Sequence, residues 1–464
     1  MSHARFAAAA LCGIALLLAL PARAQAVPVS ASAQAPAAAV PVPRTADAAL
    51  PDQALAMRAI QALPEVRRKA AEFDAARARA DMRNIGNREA QVTWIPQDRR
   101  VQDGTHYREW ELDIDKSVRW PSKYLLDKRI GQLGVEAARL DFEDAHHAGA
   151  RLLLAQWSAW LRAGSDAAVS ARIATLIEQE RALVARRVHA GDAAQKDLLA
   201  ADAALAEARA SAIEAGLAEQ SARRTLAATF PTLPLPQRVP RVENPPALAG
   251  AAAQWQARIV DVSHEIGMAR STAEQREVEA RRARADRVPD PVLGVRVLSD
   301  LGGHEKVYGV ILGLPLGFRY RGAQAAEAGA QAQAAAQDLS LVMREVHLSA
   351  AQVVSQAEAL HALWQQRALA QAAATASLEK TRRAYALGEA GISEVLLAAQ
   401  GAAKTDQAAG RAAVDTLYAV ERVAVDAHAR WHRHAEAAHD GADHAADATP
   451  AGNASAVKLP ALGE

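Results

Sequence analysis

The sequence holds one cysteine in 464 residues, Cys12, and it lies inside an apolar N-terminal run. That excludes disulfides, thiolate metal centres and thiol catalysis from the rest of the chain. Net charge is nearly absent, with 54 Lys+Arg against 53 Asp+Glu, so the clustered basic excess of a nucleic-acid binder is missing. Aromatics are only 4% while half the residues are hydrophobic. The apolar content is therefore mostly alanine, which suits packed helices better than a bulky globular core. Beyond the N-terminus no run is long and apolar enough for a transmembrane helix, so any membrane span has to be β. Gly-rich phosphate loops, GxSxG and HExxH are all missing, which argues against an enzyme and against a cofactor.

What is present begins with an export signal. Arg5 precedes the apolar run Phe6–Leu20, and Ala22-Arg23-Ala24 is a small-x-small cleavage site. Residues 1–24 read as a signal peptide, and 25–50, rich in Ala, Pro and Val, as a flexible lead-in. Cys12 sits in mid-run rather than at its end, so no lipid anchor is read.

Two β-rich stretches then interrupt long helical sequence. Strands are expected at about 89–96 and 107–118, joined by Gln97–Thr105 with Asp103-Gly104, and again at about 291–298 and 307–314 around Gly302-Gly303. Helices are expected over Asp52–Asn84, bent at Pro64, from Pro121 to about Ala190, and back to about Ala228. A second set is expected over Ala252–Arg287, Ala323–Leu387 and on to about His434. Between them, 230–250 carries six prolines from Phe230 to Leu248 and reads as a connector. Gly191, Asp192, Asp197 and Leu199 recur as Gly388, Glu389, Glu394 and Leu396 at one spacing of 197 residues. The chain thus reads as a tandem helix–hairpin–helix duplication, 51–229 and 251–436, with a disordered tail at 437–464.

Two hairpins supply four strands, too few to close a barrel, whereas three copies would supply twelve. In the second strand Trp110, Leu112, Ile114 and Val118 share one face, and Glu109, Glu111, Asp113 and Asp115 the other. Eight of the nineteen aromatics, Trp94 and Tyr320 among them, fall in or beside the hairpins, as in an interfacial girdle. A soluble hairpin packed on a helix is the bland alternative. In a barrel the four acids, with Arg296 from the other hairpin, would line the lumen and favour cations; equally, they serve only to keep a wet face wet.

The residues Pro289-Asp290-Pro291 before the third strand, Leu312–Gly317 after the fourth, Arg321-Gly322 and the two glycine turns resemble TolC-like outer-membrane efflux proteins over nearly all of the mature chain. Ala384–Gln400 is most similar to the CzcC-like heavy-metal branch. The resemblance implies a mainly α chain with two hairpins. It implies a homotrimer whose twelve-stranded barrel sits among the lipids of a Gram-negative outer membrane, and whose α-helical barrel crosses the periplasm. It implies a passive duct serving a periplasmic adaptor and an inner-membrane, proton-driven RND-type pump, with divalent heavy metals or organic compounds as cargo. By position it places Arg187, Gly191, Asp192, Asp197, Leu199, Arg383, Gly388, Glu389, Glu394 and Leu396 at the periplasmic tips. There the acids ring an aperture or, for Asp192 and Glu389, cap helices. A soluble adaptor or helical scaffold is the rival from another class, but it would need further strands beside its helical hairpin.

Five of 14 histidines crowd the C-terminal end. His428 and His432 are spaced i, i+4 on an expected helix, with His434 beside them, and could hold a divalent ion. Such a tail more often is solvated. His146 and His147 are adjacent and point apart.

Overall fold

The computed structural model describes residues 49–86 and 89–432. The signal peptide, nearly all of the lead-in, His434 and the 437–464 tail lie outside the described residues. Within them one order of six elements occurs twice. The first half runs α1 (Gln53–Gln61), α2 (Pro64–Ile85), β1 (Gln91–Arg100), β2 (His106–Ser117), α3 (Pro121–His189) and α4 (Gln195–Thr229). The second runs α5 (Ala252–Asp261), α6 (His264–Ala285), β3 (Val292–Asp300), β4 (Glu305–Gly313), α7 (Phe318–Leu387) and α8 (Ile392–Asp426). With 69 and 70 residues, α3 and α7 each reach about 100 Å.

Three helix boundaries depart from the sequence expectation. Pro64 ends one helix and starts another: Leu63 takes φ −59°, ψ 135°, because a proline disfavours the helical region for the residue before it. The helix expected from Ala252 to Arg287 breaks without a proline. Ser263 Oγ accepts from Ile266 N at 3.2 Å, a side-chain cap that starts α6 afresh. Finally α8 ends at Asp426 rather than near residue 434. His428 and Trp431 have φ +56° and +49°, and Ala429 N donates to Ala424 O at 2.8 Å. The chain turns back there so that Trp431 is 1% exposed.

The first hairpin is longer than its apolar pattern suggests. Its turn tightens to 101–105, closed by Val101 N to Thr105 O at 3.0 Å. Asp98 pairs with Arg108 and Arg99 with Tyr107, so polar residues extend the ladder.

The helices form a palisade. Toward the sheet α3 packs on α2 and α6, and α6 on α7; farther along, α3 packs on α4 and α8, and α7 on α8. The largest apolar core ties α1, mid-α3, the end of α4, the connector and the end of α8 together through Ile60, Leu154, Trp157, Phe230, Leu417 and Trp431. The connector sits hard on α3: a Cβ at Gly164 would lie 2.5 Å from the methyls of Val239. Only glycine permits that approach.

Candidate functional site

The two hairpins, far apart in sequence, form one antiparallel sheet in the order β1-β2-β3-β4. The seam is β2 with β3, where Asp113 faces Arg296 and Asp115 faces Gly294. Alternation then separates two faces. One carries Val92, Trp94, Leu112, Ile114, Val295, Val310, Tyr308 and Leu312, aligned across all four strands. Of these Trp94 is 66% exposed and Val310 84%. Along both edges, β1 and β4, no further strand pairs among the described residues. A wide apolar face on a sheet with two open edges is a surface that soluble monomers avoid. Among the described residues no helix is long and apolar enough to cross a membrane.

The opposite face carries the four acids together with Arg296, and it holds ion pairs that the sequence did not reveal. Arg296 binds Asp113 in bidentate fashion, Nε to Oδ1 at 2.9 Å and Nη2 to Oδ2 at 2.8 Å, and Nη2 also lies 2.7 Å from Glu111 Oε1. Glu109 accepts from Leu301 N at 3.2 Å and pairs with Arg99 at 3.2 Å. Arg99 reaches Asp300 at 2.9 Å as well. Arg296 lies on this face with the acids, as expected, and Glu109, Glu111 and Asp113 all have a guanidinium partner. Arg99, Asp300 and Glu305 belong to the same face by register and were missed because only the pairing aligns them. Six carboxylates face two guanidiniums there, so the face stays acidic.

Directly below the sheet, α2, α3 and α6 meet around a buried polar network. Asp127 binds Arg119 and Arg282, each at 2.8 Å. Arg119 also donates to the carbonyls of Arg83 and Asn84 at 2.8 and 2.7 Å. Lys123, 1% exposed, donates to Val288 O at 2.7 Å and lies 3.0 Å from both Asp286 and Asp290. Asp290 belongs to the Pro-Asp-Pro motif, which thus anchors the entry to β3.

At the far end each long helix turns on a glycine. Gly191 has φ +81° and Gly388 φ +80°. Asp192 N donates to Arg187 O at 2.8 Å, and Glu389 N to Ala384 O at 2.9 Å. Neither Asp192 nor Glu389 caps a helix: the N-caps are Ala194 and Gly391. The capping interpretation falls, because each lies upstream of the position a cap occupies. Glu394 Oε1 instead accepts from Gly391 N at 3.2 Å. Asp197 sits in the first turn of α4, where its charge suits the helix dipole. The repeat is not symmetric in exposure. Leu199 is 61% exposed, whereas Leu396 is 8% exposed, packed with Ile177, Val184 and Tyr385. Its neighbour Leu397 is the exposed leucine of this turn, at 70%. The guanidinium of Arg187 lies 4.9 Å over the Tyr385 ring. Next to Arg383, Arg382 donates to the buried Glu180 at 2.7 Å, tying α7 to α3. Nothing lies within 4 Å of a Cβ placed at Gly388, so Gly388→Ala should cost about 1–2 kcal/mol through φ alone. Thermal melting would measure it, and Gly388→Asn should cost less.

The third feature is a histidine cluster beside the end of α8. His428 and His432 are not on a helix, contrary to the i, i+4 expectation, yet their rings stack at 4.0 Å and 7°. His264, the first residue of α6, stacks on His428 at 4.5 Å. His147 approaches His428 edge-on at 5.1 Å, and its Nε2 lies 3.3 Å from Asp426 Oδ1. Burial and the adjacent histidines push His264 down to about 4 and His428 to about 2, so both are neutral near pH 7. Against its own burial, Asp426 is held at about 2 by His147, Arg151 and Arg422.

No family description and no curated protein matches the sequence; solved structures do match its fold. A membrane protein from Pseudomonas aeruginosa aligns with a TM-score of 0.70 at 15% identity, over 82% of this chain and 92% of that one. The outer-membrane protein VceC from Vibrio cholerae aligns at 0.67 and 16% identity, over 82% and 99%. CusC, a protein described for its folding and transmembrane channel formation, aligns at 0.68 and 15%, over 84% and 96%. The fold is therefore that of outer-membrane channels. It is the TolC-like architecture, as the hairpin and turn motifs led one to expect.

Proposed function

We propose that three copies of this chain join β1 of one to β4 of the next, closing a twelve-stranded barrel in the outer membrane of a Gram-negative cell. The palisades then form an α-helical barrel across the periplasm. The duct is passive, and an inner-membrane RND-type pump loads it through a periplasmic adaptor that docks at the helical turns. One observation carries this reading: among the described residues, a single sheet with two unpaired edges and a continuous exposed apolar face. Lipid satisfies the face, and only closure satisfies the edges. The edge helix α7 supports it, since Leu348, Leu363 and Leu369 are exposed and would be covered in a trimer. A soluble scaffold would have no use for that surface. Cell fractionation with heat-modifiable gel mobility and crosslinking tests the reading. Trimers in the outer-membrane fraction are expected, and a monomer in the soluble periplasm would overturn it.

For the cargo we favour divalent heavy-metal cations, on the acidic polar face and the CzcC-like turn Ala384–Gln400. The second reading is organic cargo, favoured by the pairing of Arg296 and Arg99 with the acids. Gene deletion scored against Zn, Co, Cd, Ni, Cu and Ag and against a drug panel separates them. Arg296→Ala uncovers Glu111 and Asp113 in the lumen. Its reversal potential across a salt gradient in planar bilayers should move toward cation selectivity; an unchanged value would place these acids outside the conduction path.

A further inference from the structure

We propose that His264, His428 and His432 bind one divalent transition-metal ion of the imidazole-preferring kind, such as Zn²⁺, which pins the segment after α8 to the start of α6. One ring nitrogen from each residue lies within 4.8 Å of the other two. His264 is 7% exposed, and its Nε2 is buried without a hydrogen-bond partner. Its Nδ1 lies 3.5 Å from Glu143 Oε2. A carboxylate behind one nitrogen selects the tautomer that leaves the lone pair on the other, the usual support for a ligating histidine. The orphaned nitrogen is thus the one such a tautomer would offer to a metal.

Tetrahedral Zn–N bonds of about 2.0–2.1 Å place ligand nitrogens roughly 3.4 Å apart. Occupancy therefore draws these rings together and tilts them out of their stack. His428 and His432 can follow, because they lie beyond the last turn of α8. Three imidazoles leave a fourth position for water, and a cavity of about 310 Å³ opens beside His264 and His428. Hard ions such as Mg²⁺ prefer oxygen and are not expected here. Charges around the cluster are mixed: Arg139, Arg151 and Arg258 are answered by Glu143, Asp144, Glu265 and Asp426. The site does not depend on the channel reading, so the failure of one leaves the other standing.

The test uses the untagged full chain, stripped with a chelator and titrated with Zn²⁺ by calorimetry and metal analysis. One ion per chain is expected, with little Mg²⁺ binding. His428→Gln or His432→Gln should abolish that stoichiometry, and Glu143→Gln should weaken affinity by roughly 10- to 100-fold. Replacing His434, His439 and His444 together by Gln should leave binding intact. Zinc protection of wild-type histidines from diethyl pyrocarbonate, mapped by peptide mass, locates the site without relying on any variant. No bound zinc, loss of binding in the tail variant, or protection that omits His264, His428 and His432 would overturn the proposal.

Discussion

Asp127→Ala should destabilise the protein by about 3–5 kcal/mol, the cost of removing one partner from a buried ion cluster. Asp127 is the carboxylate shared by Arg119 and Arg282, and the three side chains are 11%, 11% and 15% exposed. Alanine leaves two guanidiniums side by side in the same pocket. Arg282 retains Asp286, and Arg119 retains the Arg83 and Asn84 carbonyls, so the loss falls short of unfolding the whole chain. Its location makes it matter: Arg119 follows β2, and Arg282 stands near the end of α6, so the cluster fixes both hairpins to the helices. Asp127→Asn keeps an acceptor but loses the charge, and should fall between. Thermal melting of the purified protein reads the effect. A change below about 1 kcal/mol would mean that water replaces the carboxylate and that the junction is wetter than its exposure implies.

The second large effect is expected at Trp431. A buried Trp→Ala change costs about 3–5 kcal/mol. Trp431 is 1% exposed in the core with Leu154, Trp157, Leu417 and Val425, and it holds a φ of +49° that a side chain adopts only at a cost. Burial offsets that strain. Once the indole is removed, the segment keeps the Ala424 carbonyl contacts of Ala429 N and Arg430 N and the Arg430–Glu421 ion pair against α8, but His428 and His432 are held less firmly. Trp431→Ala should therefore lower the melting temperature and also weaken Zn²⁺ binding, whereas Trp431→Phe should keep most of both. A stable Trp431→Ala protein with unchanged Zn²⁺ binding would show that the segment is held by other contacts.

Much of this was legible because it rests on short-range rules. The apolar–acidic alternation of β2 follows from the period of a strand. The turns at Gly191 and Gly388 follow from the need for positive φ, and an interruption at Pro64 from the bias a proline places on the residue before it, although a bend was expected there rather than a break. The Pro-Asp-Pro motif marked a strand entry, but not that Asp290 faces a buried Lys123. Ser263 was a missed signal, a serine two residues before a glutamate inside a polar helix. Where the sequence misled, as at the end of α8, a helical pattern was overridden by the burial of Trp431.

Taken alone, then, the sequence determined a duplicated helix–hairpin–helix and two amphipathic hairpins, since periodicity and backbone sterics act within a few residues. Only the tertiary structure decided which charges meet. Arg99 reaches Glu109 across the first hairpin, Arg296 reaches Asp113 across the β2–β3 seam, and His264 reaches His428 from a separate helix. The first two depend on strand register, where a one-residue slip would turn every side chain to the other face, and the third on packing between segments far apart in sequence.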